Sequence, residues 1–522
     1  MSDKTLTRVL TSVFFILGLI GVLRHEMWFD ELQAWLIARD SQSIADLFRN
    51  LKYEGQPGLW HLFLHLISRL THNPISMQLF HLGIATLTIY IFVGFSPFSK
   101  AQKFLFTFSY FPFYEYAVIS RNYGLGVLFI FIFCALFPKR NYLVLFLMIA
   151  VLANTNIIAL LVAISLAATL LFEHIFYPQK PWCTKTNWQF ATGLYLAILG
   201  MASAVYQIMP PADRPYGKIG GELQNLTANT RLGDTLVDLV LANIVKLAKT
   251  LFLIWKSFIP IPYFLEYEFW NRNIASAFPL AGKVGVVLVS LGIIAFLAVF
   301  FRKHPTVFFL YSFGTGLMLL FMHTISAATR VRHVGYLFVL SLACYWLLNS
   351  CLRNRSRLRK TEVRGIEKYQ SFFLSSILCL QLFSGIFAYA KDLVQPFSVN
   401  QKVADYIKDN DLENAVVVGI RDFPFASLSA YLNKEIYFYN IERYGTYLIW
   451  NKARKQKQKN RTLEHFIGKM KEIQVQENKE VLILLQKDID FSDFDLKITK
   501  LKDFKTSISF YEGDYYLYLL KP

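Results

Sequence analysis

Acidic and aromatic side chains crowd one short stretch of this chain, RHEMWFDELQAWLIARD, residues 24–40. Asp30 and Glu31 stand together beside Trp28 and Phe29, just after an apolar run from Val9 to Leu23. A carboxylate in such a place can take a proton from a hydroxyl or ligate a divalent cation. Leu32, Trp35, Leu36 and Arg39 recur at helical spacing, which predicts a surface helix fixing the acidic pair near lipid headgroups. A plainer role competes with this one. The two acids can simply cap that helix, whose N-terminus favours negative charge. A third acid, Glu115, falls inside an apolar run, where its cost in a membrane makes it a functional candidate by default.

These residues need elements to hold them, and the composition says which kind. Of 522 residues, 54% are hydrophobic and only 17% charged, with 48 Phe, 28 Tyr and 9 Trp. Soluble domains carry nearer a quarter charged residues, and disordered chains lack such an aromatic load. The net charge of +18 would suggest nucleic acid in a soluble protein. Here much of the excess sits in short loops between apolar runs, where it reads as membrane topology and not as nucleic-acid binding. The five cysteines follow no metal-ligand spacing.

Eleven stretches are candidate spans: 9–23, 76–95, 103–120, 122–138, 141–156, 157–176, 189–209, 280–301, 305–324, 334–350 and 371–390. Several fall short of the ~20 residues a perpendicular helix needs, so partial spans are expected near Asn154-Thr155-Asn156. The first stretch lacks a small-residue cleavage site and reads as a retained span rather than a signal peptide. Lys4 and Arg8, Lys100 and Lys103, Lys139 and Arg140, Lys180 and Lys185, Arg302 and Lys303, and the run CLRNRSRLRK at 351–360 occupy alternate loops. By the positive-inside rule those loops and the N-terminus are cytoplasmic. The segments 24–75 and 210–279 are then extracytoplasmic. Leu59–Leu70 and Leu236–Ile259 inside them read as amphipathic interfacial helices.

After residue 390 the composition changes. Residues 391–522 mix helical stretches (Val399–Lys408, Leu463–Ile473) with β-rich runs (Ala415–Ile420, Ile436–Tyr439, Val481–Leu485, Tyr515–Leu520). The expected fold is therefore an α-helical polytopic membrane protein, residues 1–390, with a small extracytoplasmic α/β domain, residues 391–522. The basic tract Lys452–Arg461 can grip an anionic glycan or headgroup, or be a solvated loop.

At NLKYEGQPGLWHLFLHLISRL, residues 50–70, Gly55, Pro57 and Gly58 break the chain before a helix opens at Trp60 and His61. A first span, an Asp-Glu pair and a Pro-bearing turn before an interfacial helix together resemble the GT-C superfamily of membrane glycosyltransferases. Within it the chain is most similar to family-39-like bacterial proteins, relatives of protein O-mannosyltransferases and lipid A aminoarabinose transferases. Many relatives carry His-Pro-Pro where Gln56-Pro57-Gly58 stands here. Ser120-Arg121-Asn122-Tyr123 keeps the Arg and Tyr of a Glu-Ala-Arg-x-Tyr segment but not its Glu.

The resemblance implies a multi-pass enzyme of the bacterial inner membrane that moves a sugar from a polyprenyl-phosphate donor to a hydroxyl on a lipid, glycan or protein. An extracytoplasmic site cannot draw on cytosolic nucleotide sugars, which agrees. Asp30 would be the general base, with Glu31 beside it and inversion following from a single displacement. The departing lipid phosphate needs cations. Arg330, Arg332 and His333 cluster in ATRVRHVGYL, and the planar guanidinium fork suits phosphate, although an interfacial anchor would use the same residues. Arg121 and Tyr123 join that pocket by resemblance. Glu54, His61 and Glu115 are substrate-pocket candidates, or else buried structural partners. A divalent cation such as Mg or Mn is left open, because no pattern forces one. A transporter or flippase of lipid-linked glycans is the main alternative, although transporters usually place their ionisable groups at the midplane.

Overall fold

The computed structural model describes residues 2–177, 187–214, 236–325, 329–353, 360–457, 462–492, 494, 497–505, 508–509 and 512–521. Lys180, Cys183, Lys185, Arg355, Arg357, Arg359 and part of loop 210–279 lie outside the described residues.

Among the described residues, eight helices are long and apolar enough to cross a membrane. In full extent they are α1 (Asp3–Arg24), α5 (Ile75–Phe95), α9 (Ile157–Phe176), α10 (Asn187–Ile208), α12 (Leu280–Phe301), α13 (Pro305–Thr324), α14 (Val331–Arg353) and α15 (Lys360–Val394). Between them lie α2 (Phe29–Asp40), α3 (Ile44–Leu51), α4 (Leu59–Ser68), α6 (Lys100–Thr107), α7 (Tyr123–Leu136), α8 (Tyr142–Ala153) and α11 (Leu236–Phe258). One face of each outer helix is apolar yet uncovered. Val9, Val13, Ile16 and Ile20 on α1, Val284, Leu288 and Leu291 on α12, and Phe372, Phe383 and Ile386 on α15 are all exposed. Leaving such a side chain in water forfeits ~1.5–3 kcal/mol, a cost that vanishes in lipid. This is a multi-pass membrane protein.

Three of the eleven expected spans are not among the eight. The stretch 122–138 is the shorter helix α7, and 141–156 gives the 12-residue α8, which stops at the Asn154 turn as its length foreshadowed. The stretch 103–120 is broken. Its first part is α6, and a π-helical turn follows over Tyr110–Glu115. Pro112 has no N–H for the ladder, and the Tyr116 N–H reaches Phe111 O, five residues back, at 2.8 Å. The broken backbone delivers Glu115, Tyr116, Ser120 and Arg121 to one end of the bundle.

Beyond α15 comes a six-stranded sheet in the order β3-β2-β1-β4-β6-β5. Its strands are β1 (Val416–Gly419), β2 (Ile436–Phe438), β3 (Arg443–Gly445), β4 (Val481–Leu485), β5 (Ile498–Phe504) and β6 (Tyr515–Leu520). β1 pairs in parallel with β2 and β4, and the outer pairs are antiparallel. The four expected strands are all present. β3 and β5 lie at the sheet edges, where little apolar patterning is needed. The basic tract opens as a short helix, Lys452–Lys457. Its Arg454 is buried against Asp422 (Nη2 to Oδ1, 2.9 Å) rather than solvated, while residues 458–461 lie outside the described residues.

Candidate active site

The expected helix after Trp28 exists as α2, but it is no surface helix. Ten of its twelve residues are buried, because it is sandwiched between the bundle and the sheet domain. Trp28 and Phe29 accordingly face protein and not the lipid boundary. Trp28 meets Trp270 edge-on at 4.8 Å, and Phe29 meets Phe423 at 4.4 Å. The sheet domain grips α2 along its length. Glu512 accepts from the Phe29 N–H at 2.7 Å, and Gln33 exchanges two hydrogen bonds with the Leu448 backbone at 2.9 and 3.0 Å. Arg39 donates to Asn433 Oδ1 at 3.1 Å, and Thr446 hydrogen-bonds Asp40.

Asp30 and Glu31 part company. Glu31 is fully buried and accepts from the Ser120 N–H at 2.6 Å, the Trp28 N–H at 3.2 Å and His25 Nε2 at 3.0 Å. The other His25 nitrogen, Nδ1, lies 2.8 Å from Asp392 Oδ2 on α15. Burial alone would lower the His25 pKa, but the Asp392 and Glu31 carboxylates outweigh it and raise it to about 10. His25 is thus an imidazolium clamped between two carboxylates, and it pins the first turn of α2 to the last long helix.

Asp30 turns the other way, with its side chain 27% exposed. Its Oδ2 forms an ion pair with Arg121 Nη1 at 2.6 Å and accepts a hydrogen bond from Arg332 Nη2 at 3.0 Å. Burial works to raise the Asp30 pKa, but Arg121 and Arg332, with Arg330 behind them, hold it below its ordinary value. Arg332 lies 5.8 Å from the rings of both Trp28 and Trp270. Its backbone carbonyl accepts from Tyr116 Oη at 2.8 Å. Gly335, one turn on, permits that approach, since a Cβ there would stand 2.3 Å from Tyr116 Oη.

The remaining sequence candidates surround this centre. Tyr123 Oη and His333 Nε2 pair at 2.7 Å, and both are buried, so they back the arginines rather than line an opening. Arg330 is exposed at the start of α14. Glu115 is buried; its Oε2 accepts from Trp270 Nε1 at 3.2 Å and Tyr110 Oη at 3.1 Å, while Oε1 has no partner among the described residues. Glu54 accepts from Gln33 at 2.9 Å, one turn along α2 from Asp30. Burial raises the Glu54 pKa; the Gln33 hydrogen bond opposes this and the Asp30 charge adds to it. The adjoining Gly55 makes the turn with φ +68°, a conformation that suits glycine. His61 is buried on α4, where burial and Arg121 lower its pKa to about 3, so it is neutral.

Sequence reasoning missed Lys256 as a site residue. It sits near the end of α11, whose Leu253, Ile254 and Phe258 are buried in the bundle, so this end of the expected interfacial helix is covered by protein. Lys256 Nζ donates to Thr329 O at 3.1 Å, and its charge is felt together with those of Arg330, Glu115 and Arg332. A lysine punctuating an apolar helix was the available signal. Four basic groups and the acids Asp30 and Glu115 therefore gather at this end of the bundle. Among the described residues, no three His, Cys, Asp or Glu side chains are grouped to hold a metal ion. Asp30 and Glu31 face different partners and do not form a shared ligand pair.

This architecture has known counterparts. Two crystal structures of ArnT from Cupriavidus metallidurans match over 99% of this chain and 98% of theirs. The apo form aligns with TM-score 0.52 at 10% identity, and the form bound to undecaprenyl phosphate with TM-score 0.51 at 11% identity. The chain has the ArnT fold. That fold is the one the sequence resemblance led us to expect. No protein-family model and no curated protein sequence matches the chain.

Proposed function

We propose that the protein is an inverting glycosyltransferase that moves a sugar from a polyprenyl-phosphate donor to a hydroxyl on an extracytoplasmic lipid, glycan or protein. The observation that carries this reading is the convergence of Arg121 and Arg332, from separate elements, on one oxygen of Asp30. Such a pair of guanidiniums suits the phosphate of a lipid-linked sugar, and the ArnT fold is one whose crystal structure includes a complex with undecaprenyl phosphate.

In this reading the acceptor oxygen attacks the anomeric carbon while Asp30 takes its proton. The bond from that carbon to the phosphate oxygen breaks, and the lipid phosphate leaves with the electron pair. Arg121 and Arg332, with Lys256 and Arg330 behind them, offset the developing charge. Glu31 orients Asp30 through the His25 clamp, and Glu54 and His61 flank the acceptor side. Charge compensation falls on guanidinium and ammonium groups.

Steady-state kinetics of two variants test the roles. Asp30→Asn should lower turnover by ~10²–10⁴, the usual loss for a general base. Arg332→Ala should weaken donor use by about one to two decades. Near-normal donor kinetics in Arg332→Ala would return the arginines to anchoring headgroups.

A further inference from the structure

We infer that Asp30 and the donor phosphate compete for the same two guanidiniums, so that donor binding itself releases the base. This rests on the functional reading above and adds an order of events to it. Arg121 Nη1 and Arg332 Nη2 both lie within 3.0 Å of Asp30 Oδ2. Arg332 is hemmed in by Trp28 and Trp270, and the Tyr116 hydrogen bond fixes its backbone, so it cannot swing to a distant ligand while keeping Asp30. Arg332 Nε is buried with no hydrogen-bond partner among the described residues, a donor available to an incoming oxygen.

The local charges make the exchange feasible. Arg121, Arg332, Arg330 and Lys256 lie around Asp30 and Glu115, so a phosphate anion finds cationic partners here without expelling Asp30 altogether. Asp30 can then turn from its two arginines toward the acceptor hydroxyl, with the Glu54 carboxyl in the turn beside α2 close enough to feel its charge. A base paired to two arginines is a poor proton acceptor, and one that has lost them is a better one. Acceptor activation therefore follows donor binding, which withholds the base from a hydroxyl that arrives alone.

The test is binding of undecaprenyl phosphate to the full-length protein in detergent, by titration calorimetry. Removing the competing charge in Asp30→Asn should tighten binding by about tenfold, the scale of one charged hydrogen-bonding partner. Asp30→Ser serves as a second variant, and a thermal melt confirms that each is folded. In an Arg332→Ala background the gain from Asp30→Asn should shrink to less than about threefold, because one contested guanidinium is gone. Unchanged or weaker binding in both Asp30 variants, with Arg332→Ala still impaired, would overturn the exchange and leave the functional reading standing. If Arg332→Ala and the Asp30 variants all bind as the wild type does, the arginines are not the phosphate site, and both fail.

Discussion

Replacing Asp392 by Asn probes the clamp behind the turn that carries Asp30. The change keeps the side chain's size but removes one of two charges on a histidine buried between them, at 2.8 Å from Asp392 and 3.0 Å from Glu31. Breaking a buried ion pair typically costs ~3–5 kcal/mol, because the remaining charges stay desolvated. Asp392→Asn should accordingly melt well below the wild type at neutral pH. The pH dependence sharpens the expectation. The folded-state pKa of His25 is raised from 6.5 to about 10, so its contribution is complete below about pH 6.5 and is lost as pH rises through about 10. Wild-type melting temperature should fall across that window, and the variant should start lower with a flatter slope. Thermal melts in detergent from about pH 6 to 10 measure this. Equal melting temperatures with equal slopes would refute the clamp.

Glu512, buried against the Phe29 N–H, should act in the opposite sense when neutralised. Burial raises its pKa from 4.5 to about 8, so the wild type loses stability as pH climbs through that range. Glu512→Gln should melt like the wild type near pH 4.5 and above it at pH 9, and a uniform loss would contradict the assignment. The acid limb of kcat/KM for the donor, which reports free enzyme, should lie below that of kcat, because Arg121 and Arg332 hold Asp30 down until the phosphate takes them. Coincident limbs would count against that. A cysteine placed at the exposed Val475, in a cysteine-free background, should react with an impermeant thiol reagent from outside intact cells. Labelling only after lysis would reverse the orientation read from the loop charges.

The fold was legible because bilayer helices announce themselves by length and apolarity, and because the expected strands are continuous apolar runs. The break at 103–120 was not read, although Pro112 marked it, since the stretch is apolar on both sides of the proline. In the site, Asp30 and Arg332 stood out as charges beside apolar runs, whereas Arg121 came only through the family resemblance. What separates Asp30 from Glu31 was invisible, because it depends on partners far along the chain. Asp392 is 367 residues from His25, and Glu512 is 483 from Phe29. Local periodicity likewise gives α2 a helix but says nothing of a sheet domain covering its other face. The helix was expected at the surface, whereas its Gln33 and Arg39 hydrogen-bond to that domain.

The most direct measurement concerns transfer itself. The purified full-length protein, in proteoliposomes with a radiolabelled polyprenyl-phosphate sugar and a hydroxyl acceptor, should release polyprenyl phosphate in step with labelled acceptor, and Asp30→Asn should not. Movement of intact labelled donor between leaflets without any released polyprenyl phosphate would contradict the account and identify a flippase.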